Sequence, residues 1–389
     1  ASQVFHLTIV VCEVEGLEAK APLLRFRKFT HPWRQEKLSD FTSRIMRKNS
    51  NNETELPLTI SSKDGLVDQV TFFNKKVSSK DMSGYYLLKN GEFAYNKSYS
   101  NGYDFGSIKR LERYEMGALS TLYICFSLKK HCSDYIKHYF DSLKWYRQIY
   151  IISAEGARNH GLLNVPTDDF FATIHFLSPD IEEQKKIADF LSLIDQRIEK
   201  QRQLVENLKK YKRGALSRVF NDVLETVKLS DISNFISSAR TLSTTLNGNK
   251  GIYPVYDAAG IAGYIDYYDI DSDYITIVKD GSGVGRLQKC DKKSSFIGTL
   301  GALVAKNCTT DFLYAVLQTI DFSKFVTGMA IPHIYYRDYK STLLPFPSEE
   351  KQHFISQLLK KFDIYIENET QKLTNMLAYK QGLLQQMFI

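Results

Sequence analysis

Apolar residues recur at alternating steps of four and three over two long stretches of the chain, residues 182–220 and 350–388. A sustained period of 3.5 residues is the coiled-coil pattern, so each stretch predicts one long helix. The first seam consists of Ile187, Leu191, Ile194, Ile198, Gln201, Val205, Leu208, Lys212, Ala215 and Val219, and the second of Ile355, Leu359, Phe362, Ile366, Glu369, Leu373, Met376, Lys380, Leu383 and Met387. A proline close before each stretch, Pro179 and Pro347, indicates where each helix starts.

The two stretches are copies of one sequence. Gln184 aligns with Gln352 and Phe220 with Phe388, so the offset is 168 residues at both ends and no gap is needed. Other identical pairs are Leu191/Leu359, Asp195/Asp363, Glu199/Glu367, Asn207/Asn375, Tyr211/Tyr379, Lys212/Lys380 and Gly214/Gly382. Polar residues interrupt both seams at matching places, which lowers stability but fixes the register and the partner. Two unrelated amphipathic helices would not share this register. We therefore predict two antiparallel coiled-coil helices, each roughly 50 Å long, in a pseudo-twofold tandem repeat.

One domain precedes each helix. The step Lys37-Leu-Ser-Asp40 recurs as Lys228-Leu-Ser-Asp231 and marks equivalent positions near the start of both domains. The chain is therefore divided into an N-terminal extension (1–21), a first domain (22–178), a central helix (179–221), a second domain (222–346) and a C-terminal helix (347–389). The apolar stretch Val4–Cys12 has no basic residue before it and is not a secretory signal by this criterion. A short strand or an added extension fits it better.

Both domains combine short β-rich runs with helical stretches. The runs are Gly91–Tyr95, Leu122–Phe126, Tyr274–Val278 and Ala302–Ala305, and the helical stretches are Ser133–Tyr150 and Asp311–Phe325. Such mixtures are typical of α+β domains with strand-rich centres. The predicted fold class is α+β, with two globular domains separated by two long antiparallel coiled-coil helices.

Composition narrows the classes of partner. The chain has 51 Lys and Arg against 44 Asp and Glu, a formal net charge of +7, and this basic balance modestly favours a polyanionic partner. Five cysteines occur, none in a C-x-x-C spacing, which argues against a disulfide framework and favours a reducing, cytoplasmic compartment. No run of 18 apolar residues exists, so no membrane span is predicted.

Polar and basic residues follow a predicted strand at matching places in both domains, and a second such segment lies near the end of each domain. The candidate contacts to a nucleic acid are Asn96, Lys97, Ser98, Tyr99, Arg158, Asn159 and His160 in the first domain and Lys279, Asp280, Ser282, Arg286, His333, Tyr335 and Arg337 in the second. Side chains of these types suit phosphate oxygens and base edges. For each one, a role in bracing a turn is an equal alternative.

Motifs for catalysis are missing from the sequence. It has no Pro-Pro step of the kind used in adenine methylation, no G-x-S-x-G elbow and no G-x-x-x-x-G-K-[ST] phosphate loop. Glu183 and Lys185 follow Pro179-Asp180 too closely for a magnesium nuclease, so we interpret the acids as charges at a helix start. The cluster Cys125, His131, Cys132 and His138 has no zinc spacing. We expect no catalytic site, metal or cofactor on this chain.

Two variable domains, each followed by a copy of one long helix, resemble the specificity subunit of Type I restriction–modification systems over about residues 22–389. The features that carry the resemblance are Pro22-Leu-Leu24-Arg25-Phe26 with Phe29 and Trp33, Lys37-Leu-Ser-Asp40, the helix start with Pro179, Glu183 and Gln184, Tyr253-Pro-Val-Tyr256 with Gly260, Gly263 and Tyr264, and Pro332-His333-Ile334. The sequence departs from the family pattern at Glu349-Glu350-Lys351-Gln352, at Asn159-His160-Gly161 and over residues 1–21.

The resemblance implies a non-catalytic, sequence-specific DNA-binding subunit. Each domain would read one half of a split target in double-stranded DNA, and the helices would set the distance between the halves. The implied partners are two methyltransferase subunits that carry S-adenosylmethionine, and motor-nuclease subunits that use ATP and magnesium. Two alternatives stay open: a tethering scaffold whose variable domains bind proteins or glycans, and a standalone DNA enzyme.

Overall fold

The computed structural model describes residues 7–9, 21–75, 77–153, 163–237, 246, 251–328 and 331–389. The chain divides into two compact units. Unit 1 comprises Ala1–Gln201 and Lys372–Ile389, and unit 2 comprises Arg202–Gln371. Each unit therefore combines one domain with one part of each of the two long helices.

Unit 1 begins with short strands and reaches the first long helix after a mixed domain. Its elements are β1 (Leu7–Ile9), β2 (Leu24–Phe26), β3 (Arg34–Lys37), α1 (Leu38–Phe41), β4 (Thr42–Arg44), β5 (Leu58–Ser61), β6 (Gly65–Asp68), α2 (Gln69–Phe73), β7 (Tyr86–Lys89), β8 (Phe93–Asn96), β9 (Ser107–Arg110), β10 (Met116–Leu119), β11 (Ile124–Leu128), α3 (Ser133–Asp141), α4 (Tyr146–Ile152), α5 (Thr167–Ala172), β12 (Ile174–Leu177) and the first part of α6 (Ile181–Asn221). Strand β1 pairs antiparallel with β2, which confirms a short strand inside the apolar stretch 4–12.

Unit 2 has a similar succession of elements and leads into the second long helix. Its elements are the rest of α6, β13 (Thr226–Lys228), α7 (Leu229–Ile232), β14 (Ser233–Ile236), β15 (Tyr253–Asp257), β16 (Gly260–Ile265), β17 (Tyr274–Val278), β18 (Leu287–Cys290), β19 (Ser295–Phe296), β20 (Leu300–Ala305), α8 (Thr310–Leu317), a 3-10 helix (Phe322–Phe325), α9 (Tyr336–Tyr339), β21 (Leu343–Pro345) and α10 (Glu349–Met387), whose last part belongs to unit 1.

The central sheets of the two domains have the same strand order. It is β4-β11-β8-β9 in unit 1 and β14-β20-β17-β18 in unit 2, antiparallel throughout. One row of facing residues consists of Arg44, Phe126, Phe93 and Arg110 in unit 1, and its counterpart of Phe235, Leu303, Ile275 and Lys289 in unit 2. The third strand in each order is β8 or β17. Lys97 lies four residues after Phe93 of β8, and Lys279 lies four residues after Ile275 of β17.

The repeated Lys-Leu-Ser-Asp step forms the same local structure in both domains. It ends a short strand and begins a one-turn helix, α1 or α7. The hydroxyl of Thr42 donates to the Leu38 carbonyl at 2.7 Å, and the hydroxyl of Ser233 donates to the Leu229 carbonyl at 2.8 Å. Each hydroxyl donates back to the first carbonyl of the one-turn helix before it, and in α1 this carbonyl also accepts the Thr42 backbone N–H. The repeated Lys-Leu-Ser-Asp step in the sequence therefore corresponds to a repeat in the structure.

Each domain shares its hydrophobic core with both long helices. In unit 1, Leu191 of α6 and Met387 of α10 are buried in the cluster that contains Trp33, and the ring of Phe388, the residue after α10, lies 6.1 Å from the Trp33 ring. In unit 2, Phe220 of α6 and Leu359 of α10 belong to the buried cluster of that domain. Burial of apolar area therefore fastens each domain to the helices.

The long helices have the predicted seam and direction. Helix α6 has 41 residues and α10 has 39, and every predicted seam residue is buried or half-buried. In unit 1, Lys380 Nζ lies 2.6 Å from Asp195 Oδ1, and in unit 2 Lys212 Nζ lies 2.6 Å from Asp363 Oδ1. Residue numbers rise along one helix as they fall along the other, so the pairing is antiparallel, as predicted.

The two helical stretches predicted inside the domains are each divided in two. The first is α3 and α4, because Leu143 adopts the left-handed conformation (φ 62°) just after α3 and ends it. The second is α8 and the 3-10 helix, where the Asp321 carboxylate accepts a hydrogen bond from the Ser323 backbone N–H and starts a separate turn. Hydrophobic periodicity alone did not reveal these breaks, since apolar spacing continues across them.

Candidate nucleic-acid interface

In unit 2, the end of β17 and the segment 331–337 are held side by side. The Ile334 N–H donates to the Lys279 carbonyl at 3.0 Å, and the Gly281 N–H donates to the Pro332 carbonyl at 2.9 Å. Asp280 and His333 form an antiparallel bridge between these two bonds. Residues 54 positions apart in sequence, Lys279 and His333, are thus brought together at one end of the central sheet.

Their side chains form a row of polar and aromatic groups. The His333 and Tyr335 rings lie 5.0 Å apart, and the Arg337 guanidinium carbon lies 4.7 Å from the centre of the Tyr335 ring. A concavity of about 320 Å³ is lined by Phe235, Ser237, Lys279, Asp280, Ile334, Tyr335, Tyr336 and Arg337. Aromatic rings and a guanidinium are suited to the flat faces and the phosphates of nucleotides.

Not every predicted contact in unit 2 has a free polar group. Lys279 Nζ donates to the Ser237 carbonyl at 2.8 Å, and His333 Nδ1 lies 3.1 Å from the Ile331 carbonyl. These bonds fit the bracing alternative, although each side chain keeps further hydrogen-bonding capacity. Lys279 is half-buried, whereas Tyr335 and Arg337 are exposed.

The glycine-rich loop between β17 and β18 presents Ser282 and Arg286 to solvent. Gly285 donates its N–H to the Val278 carbonyl at 2.8 Å with φ at +84°, a conformation that favours glycine. A Cβ atom at Gly283 would overlap the Arg286 guanidinium. Because this group is the far end of an exposed, flexible side chain, it could move aside, so the backbone requires glycine at Gly285 rather than at Gly283.

In unit 1, the residues after β8 form a turn at the equivalent place. The Asn96 side-chain oxygen accepts a hydrogen bond from the Ser98 N–H at 3.0 Å, and the Lys97 carbonyl accepts one from the Leu163 N–H at 3.0 Å. Tyr99 is 60% exposed. Lys97 lines a small polar recess with Arg44, Thr121, Leu122 and Thr167 among others. Arg158, Asn159 and His160 lie outside the described residues.

The equivalence of Lys97 and Lys279 rests on hydrogen bonds as well as on register. Each Lys carbonyl accepts an N–H from an apolar residue late in its domain, Leu163 or Ile334, at 3.0 Å. The two lysines therefore occupy equivalent places at the ends of β8 and β17.

Two further basic residues of these sheets have structural partners that the sequence did not indicate. Arg110 in β9 donates to Asp134 at 2.5 Å, and Lys289, at the equivalent position of β18, pairs with Asp311. Both aspartates lie in the first turn of the helix that follows the sheet, where the helix dipole favours negative charge. These two cations therefore join sheet to helix in each domain.

The helix start with Pro179 is a buried ionic centre of unit 1. Arg25 donates from Nε to Glu183 Oε1 at 2.6 Å and from Nη2 to Oε2 at 2.9 Å, and Trp33 Nε1 donates to Oε2 at 3.2 Å. The Glu183 side chain is fully buried. The sequence interpretation of Glu183 as a charge at a helix start is therefore incomplete, because its carboxylate joins the helix to the beginning of the domain.

The histidines and cysteines considered for a metal are engaged in the protein interior. Burial raises the pKa of Cys125 to about 12. His131 Nδ1 lies 2.8 Å from the Gln184 side-chain nitrogen, and His138 Nε2 lies 3.2 Å from the Ser192 hydroxyl. In the part of the chain that the structure describes, no three His, Cys, Asp or Glu side chains converge as metal ligands would.

Comparison with known proteins identifies the second domain. Residues 221–377, which include β17, the segment 331–337 and most of α10, match the family described as Type I restriction modification DNA specificity domain. This part of the chain is similar to a Type I specificity domain. The structural repeat gives unit 1 the same central sheet and the same strand-end lysine, so the resemblance found in the sequence is confirmed.

Two curated proteins are similar to parts of the chain. A protein named as a type I specificity subunit in Mycoplasma pneumoniae is 29% identical over 151 residues, which are 37% of this chain and 49% of that protein. The specificity subunit of the Escherichia coli type I restriction enzyme EcoprrI is 27% identical over 115 residues, 29% of this chain and 28% of that protein. The aligned segments thus span half or less of these relatives.

A solved structure shows the same fold for nearly the whole chain. The S subunit of a Type I restriction–modification system from M. genitalium matches with a TM-score of 0.53 and 15% identity, and covers 95% of this chain and 99% of its own. The fold class predicted from sequence, two α+β domains with two long antiparallel helices, is confirmed. None of the described helices combines the length and the apolar content of a membrane span.

Proposed function

We propose that this chain is the DNA-reading specificity subunit of a Type I restriction–modification complex. The observation that carries the proposal is the strand-end site that occurs in both domains, Lys97 with Leu163 and Lys279 with Ile334. It is supported by the match of residues 221–377 to the Type I specificity domain. Each site presents polar, basic and aromatic side chains at the same end of an equivalent sheet. Two equivalent sites fit a target that has two halves.

The proposed contacts are the strand-end residues and their neighbours. In the second domain they are Lys279, Asp280, Ser282, Arg286, His333, Tyr335 and Arg337, and in the first Asn96, Lys97, Ser98 and Tyr99 together with Arg158, Asn159 and His160. Lys and Arg contacts to phosphate would supply much of the affinity and make it dependent on salt. Contacts to base edges in the major groove would supply the sequence preference.

The long helices have the role of a spacer and a scaffold. Two DNA-binding domains of low affinity on one stiff spacer bind a split target more tightly than either domain alone, because the second contact is intramolecular. A stiff spacer also requires a fixed distance between half-sites. The repeated helix gives one chain a pseudo-twofold character, which suits two identical methyltransferase subunits.

The chemistry belongs to the partners in this proposal. The chain itself has no catalytic role and no cofactor, the methyltransferase subunits carry S-adenosylmethionine, and motor-nuclease subunits bring ATP and magnesium. The complex acts in the cytoplasm, where the DNA is. The absence of methylation, nuclease and phosphate-loop motifs from the sequence supports this division.

One experiment in cells tests the function as a whole. Adenine methylation is mapped across the genome in cells with and without this chain, in the presence of the methyltransferase subunit. We expect a split recognition sequence that is methylated only when the chain is present. Methylation that is identical in both strains would contradict the proposal.

Two assays with the purified chain separate the alternatives. A gel shift with random-sequence duplex DNA at two salt concentrations should show salt-dependent binding, whereas a scaffold for proteins or glycans should bind no DNA. Incubation with labelled methyl donor and DNA should give no transfer by the chain alone. Transfer in that assay would identify a standalone DNA enzyme.

A further inference from the structure

The turn between β5 and β6 in unit 1 lies against the loop that carries the candidate DNA contacts. The Ser62 hydroxyl is 2.9 Å from the Ser100 hydroxyl and 3.1 Å from the Ser107 hydroxyl. Ser107 faces Asn96 across β9 and β8, and Ser100 directly follows Tyr99. The tip of the β5–β6 hairpin therefore shares one end of the central sheet with residues 96–99.

The turn itself is well ordered by its own hydrogen bonds. Ser61 Oγ donates to Asp64 Oδ2 at 2.8 Å, and the Asp64 N–H donates to Ser61 Oγ at 3.1 Å. Gly65 closes the turn with φ at +84°, a left-handed conformation that glycine adopts without strain. Lys63 lies at the apex between these residues and is exposed. Its ammonium group makes no hydrogen bond or ion pair with the residues that the structure describes.

The second domain has an equivalent hairpin with a different tip. Pro57, just before β5, makes a parallel bridge to Ala118 of β10, and Val255 of β15 makes one to Ser295 of β19. Strands β10 and β19 directly precede β11 and β20, which are equivalent strands of the two central sheets. In unit 2 the turn is Asp257-Ala258-Ala259-Gly260, where the Asp257 carboxylate accepts the Ala259 N–H at 2.7 Å. The cation at the tip therefore belongs to the first domain alone.

We propose that Lys63 binds a phosphate of the DNA beside the half-site that the first domain reads. The inference rests on the proposed function, since Lys63 lies at the same end of the central sheet as residues 96–99. A lysine ammonium is a compact charge with three donors and suits a phosphate oxygen. The carboxylate of Asp64, the acidic neighbour in the turn, is engaged by Ser61. Because the turn is already ordered, binding costs little further ordering of the backbone.

The test measures binding of the full chain to a random-sequence duplex of about 30 base pairs by fluorescence anisotropy at several salt concentrations. Replacing Lys63 with Ala should weaken binding at least about threefold at low salt and reduce the slope of log Kd against log salt by about 0.9. The matched control is Lys89→Ala, which should leave both quantities unchanged. Lys89 is an exposed lysine at the end of β7, just before the start of β8, whereas residues 96–99 lie at the end of β8. Tryptophan fluorescence checks folding, because Trp33 and Trp145 both lie in unit 1.

The outcomes distinguish this inference from the proposed function. If Lys63→Ala has wild-type affinity and slope while Lys97→Ala loses affinity, the hairpin does not touch DNA and the proposed function stands. If Lys89→Ala weakens binding as much as Lys63→Ala, the chain attracts DNA through its overall positive charge rather than through a contact at Lys63. The assignment of Lys63 is then overturned. If the wild-type chain fails to bind duplex DNA at low salt, the proposed function itself fails.

Discussion

Lys380 and Asp195 form an ion pair, with 2.6 Å between Nζ and Oδ1, that the repeat reproduces in Lys212 and Asp363 at the same distance. Asp195 and Lys212 are equivalent to Asp363 and Lys380 in the two helix copies. Since the helices run antiparallel, the aspartate of each copy meets the lysine of the other. Both lysine side chains are largely buried, at 16% and 13% exposure. The pairs therefore select the antiparallel register.

Reversing one charge of this pair should destabilise unit 1. We expect Asp195→Lys to lower the free energy of unfolding by about 1–3 kcal/mol, between the values typical of exposed and buried pairs. The double variant Asp195→Lys/Lys380→Asp should recover most of the loss. Urea unfolding followed by tryptophan fluorescence reports unit 1, and Lys200→Glu, an exposed site on the same helix, is the control. A double variant less stable than both single variants would contradict a specific pair.

The Arg25–Glu183 pair should contribute far more than its exposed neighbour. Both of its side chains are almost inaccessible to solvent, whereas those of the Lys28–Glu182 pair are 57% and 73% exposed. Replacing Glu183 with Ala leaves a buried guanidinium without its partner and should cost about 3–5 kcal/mol. Replacing Glu182 with Ala should change stability by less than about 0.5 kcal/mol. Equal losses in the two variants, measured by urea unfolding, would show that burial of the first pair has no energetic consequence.

The stability of unit 1 should fall below pH 6.5. Burial, together with the positive charge of Lys380, lowers the pKa of His138 from 6.5 to about 4, and burial lowers that of His175 to about 3. The unfolded chain therefore binds protons that the folded chain does not. Stability is complete above pH 6.5 and is lost as the pH falls toward 4, by up to about 1.4 kcal/mol per pH unit for each histidine.

His138→Gln tests the share of one histidine in this loss. Glutamine cannot take up a proton, so the variant should lose less stability between pH 6.5 and pH 5 than the parent chain. The measurement is urea unfolding by tryptophan fluorescence at several pH values. Identical pH dependence in the two proteins would mean that His138 is not kept neutral by the fold.

Replacement of the strand-end lysines should affect one half-site each. Lys97→Ala should weaken recognition of the half-site read by the first domain and Lys279→Ala that of the other. If the lysine contacts a base, binding should weaken by about 1–3 kcal/mol and the preference for that base should relax. If it binds phosphate, the slope of log Kd against log salt should instead decrease by about one. Methylation mapping and binding at several salt concentrations measure these effects. No change in either quantity would assign the lysines to bracing, as the Lys279–Ser237 bond at 2.8 Å allows.

Shortening both helices should shorten the gap between half-sites. The two ion pairs show how a matched deletion must be placed, because residue numbers rise in one helix as they fall in the other. Removing 201–207 from α6 and 368–374 from α10 keeps both seams in register and leaves both pairs intact. The spacer loses roughly 10 Å, or about three base pairs at roughly 3.4 Å each. Methylation mapping should show unchanged half-sites and a shorter gap. An unchanged gap in an active complex would show that the helices do not set the distance between half-sites.

Regular local patterns made the long helices and the repeat predictable. A 3.5-residue period is a property of the chain itself, since it follows from which positions of a helix share one face. The Lys-Leu-Ser-Asp step and the strand Tyr274–Val278 were also visible in the sequence, because short hydrophobic runs and repeated polar residues carry local information. The break at Leu143 was not visible, since its left-handed conformation depends on the packing around it.

The sequence by itself determined two helix copies in one register and two domains with polar residues after a central strand. Tertiary structure decided which charges are available to a ligand. Arg110, Lys289 and Glu183 are charged residues of ordinary appearance in sequence, yet each binds a partner distant along the chain. Whether an ion pair forms depends on the distance and the burial of two side chains, and these quantities exist only when the sheet and helices have packed.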